Sequence, residues 1–156
     1  MKTAEDILKD KPVGSKICVS PGQTIAEAIR VMNEANVGAI LIEDGEEIVG
    51  IWTERDLLKS MGTAGFDPHK ADIGNHMKTR LHSAAHNTPL IQLEEMFLGL
   101  FIRHIVIKKE GQFAGLLSIG DVLRASLLEK EAELKKLNKI ASWNYYENWG
   151  WDRKKR

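Results

Sequence analysis

The sequence predicts an α/β protein (α+β in a stricter classification) made of two copies of a strand-helix-strand-strand-helix unit about a pseudo-two-fold axis. Three observations predict it. First, Gly50-Ile51-Trp52-Thr53-Glu54-Arg55-Asp56 is echoed by Gly115-Leu116-Leu117-Ser118-Ile119-Gly120-Asp121, 65 residues later. Each copy has a glycine, two bulky apolar residues, a small hydroxyl residue and an aspartate three positions on. Second, the same offset lays Ile40-Leu41-Ile42 on Ile105-Val106-Ile107, and Ile25, Ala28, Met32 and Val37 on Leu90, Leu93, Phe97 and Ile102. Third, turn and cap signals punctuate both copies in one order. Two copies are too few for a solenoid and imply one globular unit.

In chain order, residues 5–10 read as a short amphipathic helix with Ile7 and Leu8 on its apolar side. Ile17-Cys18-Val19 is a short strand that stops at the turn Ser20-Pro21-Gly22. Thr24 with Glu27 forms a capping box, and Ile25, Ala28, Ile29 and Met32 give the helical stripe that runs to about Asn36. Ala39 to Ile42 and Glu47 to Trp52 are strands about the tight turn Asp44-Gly45. A helix follows over Thr53 to Met61.

The second copy begins with a weak strand, Leu81 to Ala84. Thr88-Pro89 reads as a cap residue before a proline at the first helical position. That helix continues through Leu93, Phe97 and Leu100, with Gly99 suggesting a close approach of another backbone. His104 to Lys108 and Gln112 to Leu117 are strands, and Ser118 opens a last helix expected to run to about Lys139. Residues 62–77 connect the copies. The domains predicted are 10–62, 63–128 and a C-terminal extension, 129–156. The extension ends in Trp143, Tyr145, Tyr146, Trp149 and Trp151 before Arg153-Lys154-Lys155-Arg156.

The 156 residues are 43% apolar and 28% charged, with equal numbers of acidic and basic residues. Such a chain buries a real core without disulfides, and its zero net charge gives no basic field for nucleic acid. The single Cys18 points mildly to a reducing compartment. A charged N-terminus and the lack of a long apolar run predict neither signal peptide nor membrane span, so the expected location is cytoplasmic. His82 and His86 lie in a strand-turn segment without further ligands, so no metal site is expected. Cys18 has no catalytic partner arrangement, and nucleophile-elbow and Walker-type loops are missing, so no catalytic residue and no enzyme activity is expected.

Read locally, Thr53-x-x-Asp56 and Ser118-x-x-Asp121 are helix N-terminal caps. Both follow a predicted strand directly, and strand-to-helix turns carry unpaired amides that suit polar ligands and phosphates. A short carboxylate there can accept both hydroxyls of a ribose.

With these residues in view, the chain resembles a tandem pair of CBS domains, the regulatory modules named after cystathionine beta-synthase. Met77-Lys78-Thr79 and Arg103-His104-Ile105-Val106 also look like family segments, and the resemblance spans about residues 10–128. It implies two clefts between the copies for AMP, ADP, ATP or S-adenosylmethionine as regulatory ligand. By motif match, Thr53 and Asp56 would meet ribose and phosphate in one cleft, and Ser118 and Asp121 in the other. The adenine region would involve Ile17, Val19, Val37, His82, Ala84 and Ile102. Arg55, Arg103 and His104 are the phosphate candidates. The resemblance also implies a non-enzymatic sensor that forms homodimers. The competing expectation is a ligand-free dimerisation scaffold whose tail, residues 143–156, binds a protein partner, with nucleic acid less favoured.

Overall fold

The computed structural model describes residues 1–11 and 16–141; the aromatic and basic tail lies outside them. Helix α1 (Ala4–Lys9) is followed by β1 (Cys18–Val19), α2 (Ile25–Ala35), β2 (Ala39–Asp44), β3 (Glu47–Thr53) and α3 (Glu54–Met61). The second copy supplies β4 (Ser83–Ala85), α4 (Leu90–Leu100), β5 (His104–Lys109), β6 (Gln112–Ser118) and α5 (Ile119–Ala141). Each copy forms one three-stranded sheet, ordered β1-β2-β3 and β4-β5-β6. The first strand runs parallel to the second and the last two are antiparallel.

Local chemistry accounts for the elements. The Glu27 amide donates to Thr24 Oγ1 at 3.2 Å and the Thr24 amide to Glu27 Oε2 at 2.8 Å, the reciprocal capping box expected before α2. Asn36 ends that helix in the left-handed region at φ 53°, which asparagine tolerates. The β5–β6 hairpin turns through Glu110 and Gly111, both at positive φ, the pattern of a two-residue type I′ loop.

Two expectations are corrected. Pro89 is the N-cap of α4 rather than its first helical residue, because its backbone is extended (ψ 151°). The Leu90 amide that follows is satisfied from afar by the Lys2 carbonyl at 2.9 Å. Gly99 has no close neighbour within 4 Å of a Cβ position, so no backbone approach explains it.

Both sheets are covered on two faces, which is why their middle strands read as unbroken apolar runs. Ile40 and Ile42 point into the first copy's own core, and Ile105 and Ile107 into the second's. The residues between them, Leu41 and Val106, meet with Ala39 and Leu116 in a third cluster that joins the two sheets. Burying each such aliphatic side chain is worth roughly 1.5–3 kcal/mol.

The segments entering the two copies cross over. Helix α1 precedes the first copy, yet Ala4 and Ile7 are buried with Leu90, Leu93, Phe97 and Val122 of the second. The connector before β4 instead closes the first copy's core with Ile73, Phe66, Ala71 and Met77. The crossing is pinned by backbone bonds, among them Ala4 N–H to the Thr88 carbonyl and Ile25 N–H to the Ala71 carbonyl, both 2.9 Å. It also delivers two lysines, Lys11 and Lys78, to the sites described next. Among the described residues no helix is long and apolar enough to cross a membrane.

Candidate functional site

The two signature turns share one hydrogen-bonded frame. In the first, the amide and hydroxyl of Thr53 both donate to Asp56 Oδ2, each at 3.0 Å. In the second, the amide and hydroxyl of Ser118 both donate to Asp121 Oδ2 at 2.8 Å, and the Asp121 amide returns a bond to Ser118 Oγ at 3.2 Å. The next amides are also taken: Glu54 N–H by the Gly38 carbonyl and Ile119 N–H by the Arg103 carbonyl, each at 3.0 Å. The amides of Glu54, Ile119 and Asp121 are therefore used inside the fold, and the frame caps α3 and α5.

Each aspartate also holds a lysine carried in by the crossed segments. Lys78 Nζ lies 3.1 Å from Asp56 Oδ1. Lys11 Nζ lies 3.1 Å from Asp121 Oδ2 and donates to the Leu116 carbonyl at 2.8 Å. Asp56 is nearly buried at 7% exposure, so Lys78 compensates a charge that burial would otherwise penalise. At Asp121, burial pushes the carboxyl up. The two Ser118 bonds and Lys11 outweigh it and hold the group below its ordinary value.

Around these frames open two clefts between the copies. The larger, about 760 Å3, is lined by Thr53, Glu54 and Arg55 from the first copy and by Lys78, Arg80, His82, Ile102, Arg103 and His104 from the second. Phe101 also lines it. The smaller, about 260 Å3, is lined by Lys11, Ile17, Asn36 and Val37 on one side and His104, Leu116, Ser118 and Asp121 on the other. The pairing is crossed: each cleft joins the signature turn of one copy to the first-strand neighbourhood of the other. Only the larger volume falls within the roughly 300–1,000 Å3 common for small-molecule sites.

Most of the residues expected from sequence are brought to these clefts. The larger gathers Thr53, Arg55, His82, Ile102, Arg103 and His104, and the smaller gathers Ile17, Val37, Ser118 and Asp121. Gly38, His104, Leu116 and Ser118 line both, so the clefts share a wall. Val19 and Ala84 line neither. Val19 is buried in the first core and Ala84 packs against the second; each shares a strand face with a cleft-lining residue two positions earlier, Ile17 or His82. Asp56 sits behind Thr53, bonded to the turn, rather than on the cleft surface.

Burial holds the His104 imidazole below its ordinary pKa, which favours the neutral ring; Lys11 and Arg103 add to the effect, and Asp121 opposes them. Among the described residues no group of three or more His, Cys, Asp or Glu side chains is arranged to hold a metal ion.

Sequence reasoning missed Lys11, Lys78, Arg80, Asn36 and Phe101. A signal existed for Phe101, which falls on Asn36 at the repeat offset. Like Asn36 it is a left-handed helix C-cap, at φ 52°. For a phenylalanine that backbone is uncommon, and its side chain is 93% exposed. Lys78 lay inside a segment already singled out. For Lys11 no local signal existed, since its partners sit in the other copy, 105 positions away in the case of Leu116.

Comparison with known proteins agrees with this geometry. The CBS-domain family model matches residues 4–63 and 71–128. The chain is 30% identical over 151 residues to the mitochondrial CBS domain-containing protein CBSX3 of Arabidopsis thaliana, a match covering 92% of this chain and 73% of that one. Among solved structures it is similar to a CBS-domain containing protein from Agrobacterium tumefaciens, at 31% identity and TM-score 0.72. That match covers 80% of this chain and 98% of the other. It also shares the fold of a CBS domain protein from Pyrobaculum aerophilum that was solved complexed with AMP (22% identity, TM-score 0.69, 82% and 97% covered).

Proposed function

The chain belongs to the CBS-domain family, and from that membership we propose that it is a non-catalytic sensor of an adenosyl compound. AMP, ADP, ATP and S-adenosylmethionine are the candidate ligands. The observation that carries the reading is the larger cleft, where a signature hydroxyl, Thr53, faces His82, Ile102 and Arg103 across the boundary between copies. That arrangement offers a polar group for a ribose, an apolar wall for a base and a cation for phosphate. The AMP complex of the Pyrobaculum aerophilum relative supports the ligand class.

A sensor needs a ligand that binds two conformations unequally. Here a ligand between the copies contacts residues of both, so occupancy acts on how the two sheets pack. The start of α5 carries Asp121, which links the smaller cleft to the long terminal helix as its output. The protein is taken to work as a cytoplasmic homodimer, with Leu58, Leu98 and Leu123 among the apolar side chains exposed on α3, α4 and α5 available to bury. A second reading, a ligand-free scaffold, is favoured by one observation: capping and the lysine pairs by themselves account for both aspartates.

A thermal-shift screen separates the two. Protein stripped of copurified ligand is heated with each of the four compounds at millimolar concentration. Binding to the native state raises the melting temperature by mass action, and a rise with at least one compound is expected. No rise with any of them would leave the scaffold reading in place.

A further inference from the structure

The two clefts differ most in charge. Arg55 from α3, Arg80 from the segment before β4 and Arg103 just before β5 line the larger cleft. Three separate stretches of chain thus bring arginines to one concave surface. Among the described residues none of the three has a carboxylate partner in an ion pair. Lys78 adds a fourth cation, satisfied in part by Asp56, and Glu54 is the one acid in the lining. Like charges gathered in a cleft with low-dielectric walls raise the local potential and concentrate anions there.

The smaller cleft is the opposite case. Its cation, Lys11, is engaged by the carboxylate of Asp121, which itself lines the cleft. The other polar lining residues include Asn36 and His104. A phosphate placed there would face a carboxylate with no spare cation.

We propose that the larger cleft selects a nucleoside polyphosphate, a ligand with at least two linked phosphoryl groups, and that the smaller cleft, with its one cation already paired, disfavours such a ligand. This rests on the adenosyl reading and adds the charge each cleft accepts. Each guanidinium presents a planar fork of donors suited to two oxygens of one phosphoryl group. A monophosphate brings about two negative charges to this cluster, whereas a di- or triphosphate chain brings more charge and spreads its oxygens along donors that arrive from three segments.

The test compares calorimetric titrations of AMP, ADP and ATP into stripped wild-type protein and into the double variant Arg80→Ala/Arg103→Ala. All three arginines are exposed, so the variant keeps the wild-type melting temperature. In the wild type, ATP is expected to bind at least ~10-fold tighter than AMP, a difference of about 1.4 kcal/mol. The double variant loses that advantage. AMP binding as tightly as ATP, or an undiminished ATP preference in the variant, overturns the proposal while leaving the adenosyl reading intact.

Sodium tripolyphosphate at fixed ionic strength supplies the complementary probe. It is expected to raise the melting temperature of the wild type and not of the variant. If it does so while no nucleotide binds, the adenosyl reading fails and the polyphosphate cleft stands. An equal shift in both proteins, or none in either, counts against the cleft.

Discussion

The two clefts are built on the same frame and finished with different walls. In both, a hydroxyl residue and its amide donate to an aspartate three positions on, and that aspartate holds a lysine from a crossed segment. Around this frame the copies part company. Where the first has Gly38-Ala39, the second has Arg103-His104, and where the first has Asn36, the second has Phe101. The parts that repeat are those that hold helices, strands and crossing segments together. The parts that diverge face the space where a ligand would sit. Pseudo-symmetry therefore sets the repeated frame apart from the walls in which the two clefts differ.

The sharpest way to break the shared frame is at Gly50. A Cβ there would lie 2.4 Å from the Met77 sulfur and 3.0 Å from the Met77 Cβ. Gly50→Val forces the connector off the first copy and is expected to cost about 1–3 kcal/mol, read as a lower urea midpoint with unchanged slope. A stability equal to wild type would mean that Met77 swings clear, and that this glycine is not there for the crossing.

Removing a signature carboxylate has the next largest effect. Asp121→Ala deletes the cap of α5 and leaves Lys11 without its partner, a loss of about 1–2 kcal/mol at pH 7 by comparison with other caps and charged hydrogen bonds. The effect depends on pH with a definite sign. Because the folded-state pKa of Asp121 lies below its unfolded value, near ~3.9 for aspartate, the stabilisation is complete above that unfolded value. It disappears as pH falls through the folded value. Urea titrations of wild type and Asp121→Ala should therefore converge in acid and separate toward neutrality. The same variant is expected to bind ligand more weakly in the smaller cleft. Unchanged affinity there would reduce Asp121 to a structural cap.

The smallest effect tests the divergent wall. Phe101→Asn copies the first copy's residue into the second, at a left-handed backbone that asparagine adopts more readily than phenylalanine. The variant is expected to gain up to about 1 kcal/mol from relieved backbone strain, seen as a melting temperature a few degrees higher, and to lose affinity in the larger cleft. A gain in stability with no loss of binding would separate Phe101 from recognition.

The repeat, the element order and both signature turns were legible in sequence because each rests on contacts a few residues long. Thr53 reaches Asp56 over three positions, and Thr24 reaches Glu27 over the same span. What escaped was set by tertiary distance. Lys11 belongs to Asp121 only after α1 has docked on the other copy, and Arg80 enters the larger cleft only because β4 pairs with β5. Val19 and Ala84 share a strand face with Ile17 and His82, which reach the clefts, but each lies two positions further along, where that face packs on a core, and a short strand shows nothing of where a cleft stops. One amide at each turn, that of Glu54 or Ile119, is taken by the Gly38 or Arg103 carbonyl, which no local pattern brings near.

The crossing of the entry segments bears on how the chain matures during synthesis. Helix α1 leaves the ribosome before either copy, but the residues that bury Ala4 and Ile7 include Leu117 and Val122, among the last of the paired copies to emerge. The first copy can close early, since its connector follows at once with Ile73. Helix α1 must wait for the second. Domains usually settle in the order they are made; here a helix that precedes both copies stays without its core until the second is out, so it is sealed after the copy that follows it.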